Sequence, residues 1–593
     1  MTTDQIAISL LLVTLLGLFV WGRVRYDIVA AGGLVVAVVL GLVPEDRAFE
    51  GFGHPAVITV AGVLVMSRAL SLSGAVDGIA RWIRHGAGTE TGQIGILSVV
   101  AAGMSGFMNN VGALALLLPA AIESCNKAGR PVRLVLMPLA FASILGGMVT
   151  LIGTPPNILI ATYREDAIGA GFAMFDFAWV GLPVALLGVA FIALAGWRLI
   201  PRASEKSEGG GEAFDLDAYL SELAVPKSSE AYGKTLSEIE EMTEDLDVAI
   251  VGLVRRKRHY PRPPQHEPLQ GTDRLLVEAG PEDLDRFVDR LGLRVAGSRP
   301  DKASLAKGEH AVLTEAVVTP GSRIAGRTVG ALRLKGRYNL TLLGISRQGH
   351  TRGGRLNSFR VRPGDVLLVQ GLENDVPDAL NRLGCLPLAS RDISHGLRGR
   401  GMIAAGIFAA AVGVAALGLL PIAVCFVAAV IAVVVSGILP IRDLYSNVDL
   451  PVIVLLAALL PVGQALETTG MTGLIAGGIT TATEGAPAFV VVAVLLIAAM
   501  FMSDLLNNAA TVVVMAPIAV QVARGIDASP DPFLMAVAVG ASCAFLTPIG
   551  HQNNALVMGP GGYKFGDYWR LGLPLEILIM VVAVPLIMLA WPP

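Results

Sequence analysis

"FMSDLLNNAATVVVMAP", residues 501–517, lies inside an apolar run long enough to cross a bilayer, yet Ser503, Asp504, Asn507 and Asn508 sit at its centre. An amide buried without a partner costs about 2–7 kcal/mol, so polar groups at that depth need something to bind. An earlier stretch, "GMSGFMNNVGALALLLP" (103–119), has the same layout. Asn109-Asn110 precedes Asn507-Asn508 by 398 residues, and Ser105 precedes Ser503 by the same distance. The two runs, 93–122 and 487–522, are each too long for one crossing and polar in the middle. They are expected to form re-entrant helical hairpins with Asn-Asn at the tip. Backbone that leaves the helix at membrane depth is tolerated only where it lines a cavity inside the protein.

The whole chain supports that setting. Of 593 residues, 53% are hydrophobic and 16% charged, against about 25% charged in soluble domains. With repeated apolar runs near ~20 residues, this predicts an α-helical polytopic membrane protein. A net charge of −3 gives no sign of a nucleic-acid partner. Cys125, Cys385, Cys425 and Cys543 are scattered, so neither a disulfide framework nor a zinc site is expected. The first apolar run follows "MTTDQ", which lacks a basic leader, and is read as a retained span.

Spans are expected near 6–22, 27–43, 55–73, 134–163 and 177–198, then near 402–418, 421–439, 449–467, 532–557 and 574–591. Between them, from Pro201 to Arg398, charge rises and apolar runs shorten to strand length, which marks a soluble insert. Arg23, Arg25, Arg81, Arg84, Lys127, Arg130, Arg133, Arg198, Arg202, Arg398, Arg400, Arg442, Lys564 and Arg570 flank the spans on one side, against Arg47, Arg164 and Arg524 on the other. The excess places the first side in the cytoplasm. The insert is then cytoplasmic, both termini lie outside, and the protein is a multi-pass protein of the cell membrane.

The resemblance of the two tips extends along the chain. "PAVITVAGVLVMSRALSLSG" (55–74) maps onto "PVIVLLAALLPVGQALETTG" (451–470) at an offset of 396. "LIGTPPNILI" (151–160) maps onto "PIGHQNNALV" (548–557) at 397. Each half then holds five spans and one hairpin. Five is odd, so the second copy is inverted, an arrangement typical of secondary transporters with a midplane site. The matched positions are the polar ones, which favours a shared binding role over a duplication kept for packing.

An Asn offers a carbonyl oxygen and two N–H donors. The oxygen suits a hard cation such as Na⁺, and the N–H suits an anion, so one Asn joins the two kinds of site. Pro155-Pro156 breaks the fourth span, freeing carbonyls near Gly153. "IGHQNN" (549–554) does the same in the second half, with Gly550 and the side chains of His551 and Gln552. Four helix N-termini, after Asn110, Asn157, Asn508 and Asn554, are expected to converge and to favour an anion. Asp504 is an ionisable group at membrane depth, where such residues are read as functional. It either assists a Na⁺ site or carries a proton, against the plainer role of a structural hydrogen bond.

At "GGMVTLIGTPPN", "TPIGHQNNALVMGPGGY" and the paired tips, the sequence resembles the divalent-anion:sodium symporter (DASS) family of sulfate and di- and tricarboxylate carriers. The resemblance covers the whole membrane part. It implies one Na⁺ site at Ser105, Asn109, Asn110 and Gly153, and a second at Ser503, Asn507, Asn508 and Gly550 with Asp504 beside it. It implies an anion held by Asn110, Thr154, Asn508, His551 and Gln552. It also implies a homodimer with elevator-type alternating access. In that family each tip reads Ser-Asn-Thr, whereas here the triplets are Asn109-Asn110-Val111 and Asn507-Asn508-Ala509. The missing threonines shift the expected substrate from a dicarboxylate toward a small inorganic dianion such as sulfate.

The insert carries its own resemblance. "LTEAVVTPGSRIAGRTVGALRLKGRYNLTLLGISRQG" (313–349) and "FRVRPGDVLLVQG" (359–371) resemble a TrkA C-terminal (RCK-C) domain. A fainter copy runs through 219–280, with Gly233 matching Gly326 and Leu275 matching Leu367. The expected organisation is 1–202 as the first transmembrane repeat, 203–295 and 296–398 as two RCK-C-like domains, and 399–593 as the inverted second repeat. Such modules imply regulation by a small ligand, with a nucleotide such as cyclic di-AMP a candidate. The run Arg255–His259 is expected at a solvated hairpin tip.

The leading expectation is a sodium-coupled symporter of a divalent anion. The alternatives are a cation/proton antiporter or arsenite-type permease of the same superfamily, in which Asp504 carries a proton, and an ion channel gated by the RCK-C modules. No TVGYG-type filter and no GxSxG or HExxH motif is present, which ranks the channel low and an intramembrane enzyme lowest.

Overall fold

The computed structural model describes the whole chain apart from 22–23, 74–88, 202–219, 244–245, 247, 256–257, 261–265, 280, 296–310, 321, 348–349, 352–358, 373–374, 389–400, 445–448 and 484. Arg23, Arg81, Arg84, Arg202, Arg398 and Arg400 of the orientation argument, and positions 203, 296, 398 and 399 of the expected boundaries, lie outside the described residues.

The chain is mostly helical. Its first part runs through α1 (Thr3–Trp21), α2 (Tyr26–Val39), α3 (Pro55–Leu72), α4 (Glu90–Ser105), α5 (Asn110–Ala128), α6 (Arg133–Gly147), α7 (Pro155–Ile168) and α8 (Ala178–Leu194). After the insert come α9 (Gly401–Ala416), α10 (Ile422–Val435), α11 (Leu450–Thr468), α12 (Met471–Ala482), α13 (Ala488–Leu505), α14 (Asn508–Gly525), α15 (Asp531–Ala541), α16 (Gln552–Met558) and α17 (Tyr568–Ala590). Among the described residues, seven helices are long and apolar enough to span a bilayer. On these and on the shorter apolar helices, Leu10, Val13, Val39, Met402, Val435 and Val581 stand exposed, the outward apolar surface that a lipid environment accepts.

Both long polar-centred runs are helix–tip–helix hairpins, α4–α5 and α13–α14, and the tip falls at the Asn pair in each. The spans expected at 134–163 and 532–557 are interrupted, between α6 and α7 and between α15 and α16. Helix α12 was not expected. Its sequence, MTGLIAGGITTA, is too rich in Gly and Thr to stand out as an apolar run, and those residues are poor helix formers.

The two halves pack reciprocally. Helix α2 lies on α11 while α10 lies on α3, and α7 meets α14 and α15 while α16 meets α5 and α6. Each half therefore completes its core with elements of the other.

The insert forms two five-stranded sheets. Strands β1 (Leu220–Ala224), β2 (Val248–Arg255), β3 (Arg258–Tyr260), β4 (Arg274–Ala279) and β5 (Arg294–Val295) are ordered β3-β2-β4-β1-β5. Strands β6 (Ala311–Val318), β7 (Thr341–Arg347), β8 (His350–Thr351), β9 (Val366–Leu372) and β10 (Cys385–Pro387) are ordered β8-β7-β9-β6-β10, the same topology. The register slips at Ile250/Gly252 in one sheet and at Leu342/Gly344 in the other. Gly233 and Gly326 take left-handed φ of 79° and 81°, a conformation that glycine adopts without strain. Each sheet has its own apolar core, but Leu276, Val317, Leu343, Val366 and Leu368 join the cluster that runs into the membrane part. Arg255 departs from the expected solvated tip: its guanidinium is held by Asp273 at 2.7 Å, and Arg347 is held by Asp365 in the second sheet.

Candidate functional site

At each tip the two asparagines do different work. The first is a helix cap: Val111 N–H donates to Asn109 Oδ1 at 3.1 Å, and Ala509 N–H to Asn507 Oδ1 at 2.9 Å. Asn is favoured there because its short amide reaches the donors that a helix start leaves free. The second turns inward. Asn110 is 3% exposed and Asn508 7%. Ser105 Oγ donates to Asn110 Oδ1 at 2.7 Å, and Ser503 Oγ to Asn508 Oδ1 at 2.9 Å. The Ser105–Asn110 bond recurs as Ser503–Asn508, and Asn109 and Asn507 carry a capping duty that sequence alone did not reveal.

The breaks repeat as faithfully. Asn157 Nδ2 donates to Thr150 O at 2.9 Å and reaches Gly147 O and Met148 O at 3.5 Å. Asn554 Nδ2 donates to Ala544 O at 2.8 Å and Thr547 O at 3.0 Å. The carbonyls freed by each break are therefore partly engaged, although each keeps a second lone pair for a cation. The helices restart at Pro155 and Gln552, two residues before Asn157 and Asn554. Gly153 backs onto Gly147 O, and a methyl on Gly147 would fall on the Asn110 amide oxygen. A methyl on Gly550 would meet Ser503 O at 2.6 Å and Asp504 Cα at 3.0 Å. Each break is therefore pressed against its own tip.

The halves are joined at His551. Its Nε2 lies 3.3 Å from Asn110 Nδ2, and its Nδ1 accepts from Asn553 N–H at 3.0 Å. With Nδ1 accepting, the proton of the neutral ring sits on Nε2. With Asn110 Oδ1 taken by Ser105, the amide turns its N–H donors toward that same nitrogen. Two donors then face one place, and an anionic oxygen is the group that satisfies both. Asn553, fully buried, adds bonds from Nδ2 to Ser143 Oγ at 2.6 Å and Asn110 O at 3.2 Å. A continuous path of contacts, Ser105–Asn110–His551–Gly550–Ser503–Asn508, brings both tips into one cluster.

The remaining expected residues lie around it. Thr154 is buried at the start of α7, and its hydroxyl does not cap that helix. Gln552 Nε2 reaches the Tyr26 hydroxyl on α2 at 3.5 Å. Asp504 Oδ1 accepts from Leu546 N–H at 2.9 Å, and its carboxyl lies within hydrogen-bonding reach of Glu576 on α17. Sequence reasoning missed Glu576 and Asn553. The first sits alone in an apolar run with its partner 72 residues away, and the second was overshadowed by the break motif around it.

A helical membrane domain with paired interrupted helices around a buried polar cluster defines a multi-pass membrane transporter. The chain belongs to the citrate transporter family (CitMHS), whose family model matches residues 16–540. An uncharacterized transporter of Synechocystis is 32% identical over 99% of this chain and 97% of its own length. The uncharacterized transporter YfbS of Escherichia coli is 27% identical over the full length of both. Sodium/sulfate cotransporter 2 of Chlamydomonas reinhardtii is 26% identical over 55% of this chain and 38% of its own.

Proposed function

We propose that this protein is a sodium-coupled symporter of a divalent anion, with sulfate favoured over di- or tricarboxylates. The observation that carries the reading is the convergence of Asn110 Nδ2 and His551 Nε2 at 3.3 Å, which joins the first tip to the second break. The anion is bound by Asn110, Thr154, Asn508, His551 and Gln552. One sodium uses Ser105, Asn109, Asn110 and Gly153, and the other uses Ser503, Asn507, Asn508 and Gly550. Relatives named sodium/sulfate cotransporters support both the cation and the anion, and the absent tip threonines favour a compact dianion.

In the same reading the two halves are inverted repeats, and the positive flank puts the insert in the cytoplasm and both termini outside. The tips and broken helices move as a unit against a frame of α1–α3 and α9–α11 within a homodimer. The insert, 203–398, is a pair of RCK-C-like regulatory modules that take a small ligand such as a nucleotide. Regulation through it is supported by a direct contact: the Gly364 turn before β9 lies against Ala555 and Gly559 at the end of α16, the helix that His551 begins.

The test is uptake of labelled sulfate or citrate into proteoliposomes under an imposed Na⁺, K⁺ or proton gradient. Sodium-driven sulfate uptake, lost in Asn110→Ala and Asn508→Ala, is expected. Uptake indifferent to sodium overturns the coupling, and citrate uptake without sulfate uptake overturns the choice of anion.

A further inference from the structure

Asn553 stands fully buried on α16, in the second half, and both bonds of its side-chain amide run into the first half. Nδ2 donates to Ser143 Oγ on α6 at 2.6 Å and to Asn110 O at the start of α5 at 3.2 Å. Ser143 Oγ gives its own proton to Ala140 O at 2.7 Å, so it accepts from Asn553, as a carbonyl must. The amide therefore fits only one way round, with both N–H groups used. Its Oδ1 is left buried with no donor facing it. A buried acceptor without a donor is a cost, so the amide is not there for its own satisfaction. The first half shows what the fold itself requires at this place. The offset of 397 that pairs Thr150 with Thr547 and Asn157 with Asn554 also pairs Pro156 with Asn553 and Gly540 with Ser143. Proline has no side-chain amide to reach across, and glycine has no hydroxyl to receive one. The first break nevertheless makes its Thr-to-backbone tie and its Asn bond to the freed carbonyl. Restarting a helix at membrane depth does not demand the Asn553 bonds; the second half adds them.

Those bonds hold the main chain of Asn110, whose side chain serves two places at once. Its amide is planar, with an acceptor at one end and donors at the other. Oδ1 takes the Ser105 hydroxyl at 2.7 Å, on the side of the first sodium. Nδ2 lies 3.3 Å from His551 Nε2, on the side of the anion. A methyl on Gly147 would fall 2.3 Å from Oδ1, so the oxygen end is closely backed. With the main chain held and the oxygen end enclosed, whatever orders one end of the amide orders the other. A main chain set free would let the tip shift to suit a cation without moving Nδ2. The orientation of His551 is secured separately, by the main-chain N–H of Asn553 on Nδ1 at 3.0 Å.

We propose that Asn553 is a positioning residue: its side chain holds Asn110 so that sodium at the first tip tightens the binding of the anion between Asn110 and His551. The inference rests on the symport reading and adds the route by which the two solutes sense each other. By reciprocity, the anion tightens sodium binding by the same factor. The second tip has its Ser503–Asn508 bond but faces Pro156 rather than an amide at the matching break, so the coupling runs through the first tip.

The test is equilibrium binding of labelled sulfate, and of labelled citrate, to the purified full-length protein as sodium replaces choline. The quantity read is the factor by which saturating sodium tightens anion binding. About tenfold or more is expected in the native protein, within the usual range for coupled sites. Asn553→Ala removes the crossing bonds and keeps the main-chain N–H that orients His551, so the factor should fall to about twofold or less. Ser143→Ala removes one of the two anchors and should give an intermediate factor. A native factor retained in Asn553→Ala overturns the proposal. So does anion binding weakened equally at every sodium concentration, which is what a merely structural residue would produce. If Asn553→Ala does not fold, a native factor in Ser143→Ala overturns it instead. No effect of sodium on either anion in the native protein overturns the symport reading and the proposal together, so the native titration tells the two failures apart.

Discussion

The two halves of the membrane part share a skeleton and differ in chemistry. The Ser-to-Asn bond of the tip, the Asn cap, the Asn amide across the break and the Thr-to-backbone tie all occur twice. What differs is what faces the cluster. The first half presents Thr154 where the second presents His551, and Gly106 where the second presents Asp504. The shared bonds are those needed to hold a helix open at membrane depth, where every freed polar group must find a partner. The unshared residues are free of that duty, so they are where substrate and coupling chemistry can be sought.

If the shared skeleton holds a cation in both halves, methyl groups placed at the pressed glycines should damage both. Gly147→Ala drives a methyl onto the Asn110 amide oxygen, and Gly550→Ala drives one onto Ser503 O. Overpacking of this kind costs about 1–3 kcal/mol. At about 1.4 kcal/mol per tenfold, half-saturating sodium should rise roughly five- to hundredfold in each variant. Sodium titration of uptake reads it. A normal titration in Gly550→Ala beside a damaged one in Gly147→Ala would reduce the second copy to a scaffold.

Much of this skeleton was legible in the sequence because it is made of polar residues in apolar surroundings. Asn110, Asn508 and the breaks at Pro155 and Gly550 stand out against Leu, Val and Ala, and a steady offset ties them together. Contacts between distant segments were not legible. Nothing local marks Glu576 as the neighbour of Asp504, or Asn553 as the link to Ser143. Helix α12 escaped because packing against α14, not its own apolar character, holds it in place. In the insert, Gly233 and Gly326 announced matching turns, but Arg255 read as a solvated charge because its partner Asp273 lies across the sheet.

A smaller effect separates the two breaks. Asn554 makes two short bonds, at 2.8 and 3.0 Å, whereas Asn157 makes one at 2.9 Å and two at 3.5 Å. Leaving a buried carbonyl unsatisfied costs about 1–3 kcal/mol. Asn157→Ala and Asn554→Ala should both lower the unfolding temperature of the detergent-purified protein, with the larger drop in Asn554→Ala. The reverse order would mean that the longer contacts around Asn157 bear more of the load than their geometry suggests.

The smallest effect concerns the seams between halves. Arg133 begins α6 and binds Asp567 at 2.5 Å and Gly562 O at 3.0 Å; at the matching position, Asp531 begins α15 and binds Arg164 through two bonds of 2.8 Å. The same architectural joint is made twice with the charges exchanged. If the halves are inverted as proposed, the copy of the joint on the cytoplasmic face is the one expected to place its Arg at the helix start. Both pairs are less than one-fifth exposed, so each should couple measurably, by about 0.5–3 kcal/mol in a double-mutant cycle. For Arg164→Ala and Asp531→Ala, chemical unfolding of the singles and the double gives that number, and Arg164→Asp/Asp531→Arg should recover most of the loss. A cycle with no coupling at either seam would mean that the halves are held together by the apolar interface and by their other polar contacts, such as Asn553 with Ser143.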